Sequence, residues 1–291
     1  SNAYSIKRPS KTPIIYPYPG HLSNSYSSLI FPNDSGIQDR MDRICFTLFG
    51  KPIYWYGVMI AAGFLLGLLN WAWLGRRQNR PQGFASELGF WLMLAGIVGS
   101  RIAYVAVYWE EFKNHPIDMF RIDQGGLMFF GGLLLAIPTT IVFSRITRES
   151  IWSLADFAIT AVPLGHAIGR IGCFLNGCCY GKAADIPWAV HLEGADRHPV
   201  QLYESAINFA IYALLVTAFF KRRKDGMVFA IYLLLYTPAR FMLDFFRGDS
   251  PSIYWGCTGA QWFAIALFIF GALLLVFLPK RLTLEPGKPP V

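Results

Sequence analysis

A chain of 291 residues in which 54% of side chains are apolar and only 15% are charged carries more hydrophobic surface than a soluble domain of this size can bury. That composition excludes an ordinary water-soluble enzyme and predicts an all-α, polytopic membrane protein. The net charge of +8 reads as a topology signal and an affinity for anionic lipid. Its basic residues sit in short loops between apolar runs, which argues against a nucleic-acid surface.

From the N-terminus, residues 1–44 are rich in Ser, Pro, Tyr and Asn, with no helical period and no apolar run long enough for a signal peptide. They read as an irregular extension. Met41 opens MDRICFTLFGKPIYWYG and reads as a natural start. Residues 1–3 then read as a cloning remnant and residues 1–40 as dispensable. A membrane domain is expected over 45–280, followed by a cytoplasmic tail over 281–291.

Seven windows are long and apolar enough to cross ~30 Å of hydrocarbon as helices. They are residues 53–74, 84–108, 125–143, 151–168, 200–220, 226–246 and 257–279. The loops GRRQNRPQG, SRITRES and KRRKD and the tail KRLTLEPGKPPV collect the basic residues and alternate with loops 109–124, 169–198 and 247–256. Basic short loops stay cytoplasmic, so the N-terminus is expected outside and the C-terminus inside. No internal repeat is evident.

Ionisable residues inside spans are costly and normally face a protein interior or wet cavity. Glu87, Arg101, Asp156, His166, Glu204, Arg240 and Asp244 are such residues. Arg240 and Asp244 lie four apart on one helical face and are expected to pair or to line one cavity, with Arg247 a turn later. The small neighbours of Arg101 in GSRIAYV fit close helix packing, which leaves a packing clamp open as its role.

Loop 169–198 opens with GRIGCFLNGCCYG. Gly169, Gly172, Gly177 and Gly181 are expected to allow positive φ and an anion-binding nest of backbone N–H groups. Arg170 adds a planar fork matched to phosphate, and Asn176 both donates and accepts. The block RHPVQLYES brings Arg197, His198, Gln201, Tyr203 and Glu204 to the mouth of the fifth span. A metal site at Cys173, Cys178 and Cys179 is not expected, because adjacent cysteines are poorly placed to share one tetrahedral ion and no CxxC pair is present. Packing or a local disulfide is the plainer reading, with Cys257 a further partner.

The motifs HAIGRIGCFLNGCCYG, RHPVQLYE, YWYG, VGSRIAYV, GGLMFFGG and RFMLDFFRGD, in this order and spacing, resemble the prolipoprotein diacylglyceryl transferase family from about residue 44 to 279. The resemblance implies a multi-pass enzyme of the bacterial inner membrane with an outward-facing site. It implies transfer of the diacylglyceryl group of phosphatidylglycerol to the lipobox cysteine thiol of a preprolipoprotein, with glycerol phosphate released. Its partners would be phosphatidylglycerol, lipobox peptides and the bilayer, with no metal or soluble cofactor. By position, Arg170, Asn176 and Gly177 match the phosphatidylglycerol-binding signature, and Arg240 matches the essential arginine of the sixth helix. Asp244 and Arg247 match its acid and second arginine, Tyr56 the tyrosine of the first helix, and Arg101 the arginine of the second.

Two positions depart from the pattern. Phe130 stands where some members carry a histidine proposed as general base, and Cys173 where others carry asparagine. Arg170 and Arg240 are expected to stabilise the leaving phosphate, and His198 to take the thiol proton, with His166 the second choice. Tyr56 completes the expected catalytic group. Two other readings fit the same residues: an altered paralogue that only binds anionic lipid, and a transporter with a midplane ion pair.

Overall fold

The computed structural model describes residues 43–122, 125–192, 194–248 and 252–278. Most of the expected 1–44 extension and the 281–291 tail lie outside these residues. The element order is β1 (Ile44–Leu48), β2 (Lys51–Tyr54), α1 (Trp55–Arg77), α2 (Phe84–Val107), α3 (Trp109–Phe112), α4 (Phe129–Ile146), α5 (Ile151–Ile159) and α6 (Ala161–Leu175). It continues with β3 (Val190–Leu192), β4 (Ala195–Arg197), α7 (Val200–Lys221), α8 (Met227–Asp244), β5 (Ser252–Tyr254), β6 (Cys257–Thr258) and α9 (Gly259–Phe277). The fold is a helix bundle trimmed at one end by three small antiparallel hairpins, β1–β2, β3–β4 and β5–β6.

Among the described residues seven helical spans are long and apolar enough to cross a membrane, the fourth being Ile151–Leu175 with α5 and α6 end to end. That span breaks at Thr160. Pro163 has no N–H and its ring would meet the carbonyl of Ile159, so the helical ladder restarts with Pro163 inside the first turn of α6. The Thr160 hydroxyl donates to the Phe157 carbonyl at 2.7 Å and accepts from Asn70 Nδ2 at 2.9 Å, so the break leaves this buried side chain paired.

Small residues set the helix contacts, as expected where lipid tails remove the usual hydrophobic drive between helices. A Cβ on Gly63 of α1 would lie 3.1 Å from the Gly165 carbonyl oxygen of α6. Gly99 of α2 and Gly131 of α4 each stand where a Cβ would come within 2.4 Å of the other's carbonyl oxygen. The outer surface is the reverse of a soluble protein, with Leu134, Val276 and Phe277 among many exposed apolar side chains. Buried aromatic rings of Trp71, Phe84, Phe143, Phe157 and Phe219 gather near one end of the bundle. The hairpins and the signature cysteines gather at the other.

Candidate active site

The sequence placed Arg170 in an outward loop, whereas α6 continues to Leu175 and makes residues 169–173 helical. The glycines explain why. A Cβ on Gly172 would lie 2.8 Å from Met59 Cβ and 3.6 Å from Tyr56 Cα, so its missing side chain is used to seat α6 against α1. Of the four glycines expected to form a nest, Gly177 has the positive φ, at +69°, while Gly169, Gly172 and Gly181 do not. The expected nest is thus replaced by a helix end, with Asn176 as its cap. Gly181 serves close approach instead, because a Cβ there would stand 2.7 Å from His198.

Glu204 of α7, 1% exposed, is the hub that α6 meets. Arg170 Nε lies 2.8 Å from its Oε2 and His166 Nε2 lies 3.1 Å from its Oε1. His166 and Arg170 share this carboxylate because they are four apart on α6. The Tyr236 hydroxyl of α8 also donates to Oε1, at 3.5 Å. One turn further along α8, Arg240 Nη1 donates to Asp244 Oδ1 at 2.8 Å, as the i, i+4 spacing predicted. The Thr258 hydroxyl donates to Asp244 Oδ2 and also accepts from Gln261 N at the start of α9, so the cap of one helix pins the acid of another.

Arg240 lies within electrostatic reach of Glu204, and Arg170 within reach of Tyr236. The two arginines therefore flank one polar centre, and their side chains are only 15% and 18% exposed. Each is tethered by one nitrogen to a nearly fully buried carboxylate. Arg170 Nη1 lies 4.0 Å from Cys173 Sγ, and otherwise the terminal nitrogens of Arg170 hydrogen-bond no described residue. Nη2 and Nε of Arg240 likewise make no hydrogen bond to a described residue. This is an oriented pair of cationic forks with donors left over, the arrangement that recognises a phosphate.

Other expected residues divide into those brought to this centre and those given another task. Tyr56, at the start of α1, lies within electrostatic reach of Arg170 and of Cys173, Cys178 and Cys179. Arg247 pairs through its backbone with Gly181, and Lys182 N donates to the Phe246 carbonyl at 2.7 Å, so the signature loop is stapled to the end of α8. The buried Gln201 amide donates to the Cys178 carbonyl at 2.7 Å and holds the same loop from α7. Arg101 is the packing clamp: its guanidinium donates to the carbonyls of Met119, Asp118, Gly125 and Gly126, fixing the loop between α3 and α4. His198 packs edge-on against Phe246, with Nδ1 3.4 Å from the Tyr203 hydroxyl. Phe130 lies on the outer surface, edge-on to Phe263 of α9.

Cys173, Cys178 and Cys179 close the same end of α6, and no disulfide joins the five described cysteines. Hydrogen bonds from the Cys173 and Cys178 thiols, then the charges of Arg170 and Arg247, hold the Cys179 thiol well below the usual thiol range.

A family model for prolipoprotein diacylglyceryl transferase matches residues 43–277. The chain belongs to that family. It is 34% identical over 250 residues to the phosphatidylglycerol–prolipoprotein diacylglyceryl transferase of Finegoldia magna, covering 85% of this chain and all of that one. The corresponding proteins of Campylobacter curvus and Idiomarina loihiensis are 32% and 34% identical, covering 84% and 86% of this chain and 97% and 98% of theirs. This family member is thus a membrane-embedded transferase. Sequence reasoning named its arginines and listed Glu204 among the in-span ionisable residues, but did not give Glu204 its hub role and passed over the partners Tyr236 and Thr258. The available signal was the lone acid in the fifth span, since an intramembrane carboxylate requires a partner.

Proposed function

We propose that this protein moves the diacylglyceryl group of phosphatidylglycerol to the thiol of a lipobox cysteine in a preprolipoprotein, releasing glycerol phosphate. The observation that carries the mechanism is the pair of largely buried forks, Arg170 and Arg240, each fixed by one carboxylate and open at its other donors. A thiol of pKa ~8.5 is already partly thiolate near neutral pH, and this cationic centre raises that fraction. The thiolate attacks the phosphate-bearing carbon of the diacylated glycerol, not that of the headgroup glycerol. The carbon–oxygen bond breaks with its electron pair on the phosphate oxygen, and the two forks meet the charge that develops there.

We assign removal of the thiol proton to His166 rather than His198. His166 sits on the carboxylate that also holds Arg170, and an Nε2–H donated to Glu204 leaves Nδ1 as an acceptor. Glu204 and Asp244 are positioning residues, because a carboxylate facing the phosphate would repel it. Tyr56, Asn176, Gly177 and Arg247 frame the phosphatidylglycerol site from α1, the signature loop and the end of α8. The basic residues Arg76, Arg77, Arg145, Arg148, Arg223 and Lys224 lie at or beside the opposite ends of the spans, which supports an outward-facing site in the inner membrane. The step as written uses no cofactor.

The test is glycerol phosphate release from phosphatidylglycerol by the purified protein in liposomes with a lipobox peptide. Release should require the peptide thiol and should fall ~10²-fold or more in both Arg170→Ala and Arg240→Ala. Phosphatidylglycerol binding without release would favour the altered paralogue. Release that survives both substitutions would overturn the assignment of the arginines.

A further inference from the structure

We propose that Cys173, Cys178 and Cys179 form a site for one soft, thiophilic cation of the Zn2+ or Cu+ class, beside Arg170 and outside the transfer step. The three Sγ atoms all lie within 4.8 Å of one another. Three sulfurs at 2.3 Å from a tetrahedral zinc stand about 3.8 Å apart, so closure onto an ion asks for movements of about 1 Å. Three soft ligands with no carboxylate among them select thiophilic metals over Mg2+ or Ca2+.

The backbone explains how adjacent cysteines converge, against the sequence-based expectation. Cys173 lies in the last turns of α6, and the chain reverses through Gly177 at φ +69° and Cys179 at φ +60°. A left-handed conformation is disfavoured for cysteine, which lacks glycine's freedom. It turns the chain so that residue 179 rejoins residues 173 and 178. Gln201 holds the Cys178 carbonyl from α7, and Cys178 N donates to the Cys173 carbonyl at 3.1 Å, so the loop is braced on both sides.

Charge favours the same occupant. Three thiolates around Zn2+ carry a net charge of −1, and around Cu+ a net charge of −2. Arg170 Nη1, 4.0 Å from Cys173 Sγ, supplies the matching positive charge. Binding exchanges the S–H bonds still present in the trio for metal–sulfur bonds and releases their protons, with no change of oxidation state. The remaining position of a tetrahedral ion is left to water.

The probe is Co2+, added to the reduced full-length protein in detergent after removal of reductant, with Cys45→Ser and Cys257→Ser leaving the trio as its cysteines. Expected are thiolate-to-metal charge-transfer bands that saturate at one Co2+ per chain, uptake-linked proton release, and displacement by Zn2+. Single Cys→Ser changes within the trio should weaken binding ~10²-fold, at least what loss of a supporting group around a metal costs. A mass-spectrometric readout guards against misfolded variants: Zn2+ should protect all three thiols of the otherwise unaltered chain from alkylation. Absence of the bands, bands that persist when all three are serine, or a disulfide within the trio of the purified protein would each overturn the site. None of these readouts depends on turnover, so the metal site and the transferase mechanism stand or fall separately.

Discussion

Two carboxylates of this bundle are almost equally buried, Asp156 at 0% and Glu204 at 1%, yet they serve opposite ends and opposite purposes. Asp156 of α5 accepts from the backbone N–H groups of Gly226 and Phe229, both at 2.9 Å, and faces Arg222 at 3.6 Å. Helix α8 has no side-chain cap of its own, so a neighbouring helix supplies one. Glu204 instead meets only side chains: Arg170, His166 and Tyr236. An acid satisfied by backbone is a staple, because its partners have nothing left to offer. An acid satisfied by side chains orients groups whose remaining atoms are open to a substrate. The Asp156 end also holds a side-chain pair whose cation is packed in rather than left open: Arg80 meets Glu149 at 2.8 Å and stacks over Phe84 and Phe157. Burial there lowers the Arg80 guanidinium and raises the Glu149 carboxyl from their ordinary values, and their mutual attraction offsets part of that cost.

If this division is right, substitutions at the two ends should separate stability from turnover. Asp156→Ala should have the largest effect, removing about 3–5 kcal/mol of stability by taking the carboxylate away from the buried Arg222 and from the Gly226 and Phe229 N–H groups. The thermal midpoint should fall, while the fraction that stays folded should turn over at nearly the parental rate. Arg170→Ala should do the reverse, with glycerol phosphate release down ~10²–10³-fold, about 3–4 kcal/mol of barrier, and a smaller fall in midpoint than Asp156→Ala because His166 and Tyr236 still meet Glu204. A midpoint collapse in Arg170→Ala would erase the distinction.

Smaller changes sharpen it. Asp244→Asn keeps the shape but removes the charge that aims Arg240, and a ~10-fold loss in kcat, about 1.4 kcal/mol, is expected at unchanged midpoint. Last, His166→Ala should reduce turnover more than His198→Ala, measured as kcat with a saturating lipobox peptide. The opposite ranking would return the proton to His198 and make His166 a spacer for Glu204.

Much of this was legible in the linear sequence. Six of the seven spans fell within a few residues of their observed limits, because sustained apolarity over roughly twenty residues needs no partner to be recognised, while the fourth ran on to Leu175. The Arg240–Asp244 pair was legible for the same reason, since i, i+4 spacing lies within one helix. The packing role of Arg101 was legible as one alternative from its small neighbours, but the four carbonyls that consume its donors lie 17–25 residues away. At residues 169–173 the reading failed: four glycines near an arginine suggested a loop, while the facing surface of α1 turned two of them into helix contacts.

Sequence by itself determined the membrane class, the number of spans, the family and the arginines worth testing. Each rests on composition, local spacing or a short motif. Tertiary structure alone decided that Arg170 belongs to a helix, that Glu204 joins it to His166, that Thr258 steers Asp244, and that three cysteines meet. Those pairings cross between helices, and which faces meet depends on where small residues allow backbones to approach, a property of two surfaces together that neither segment carries alone.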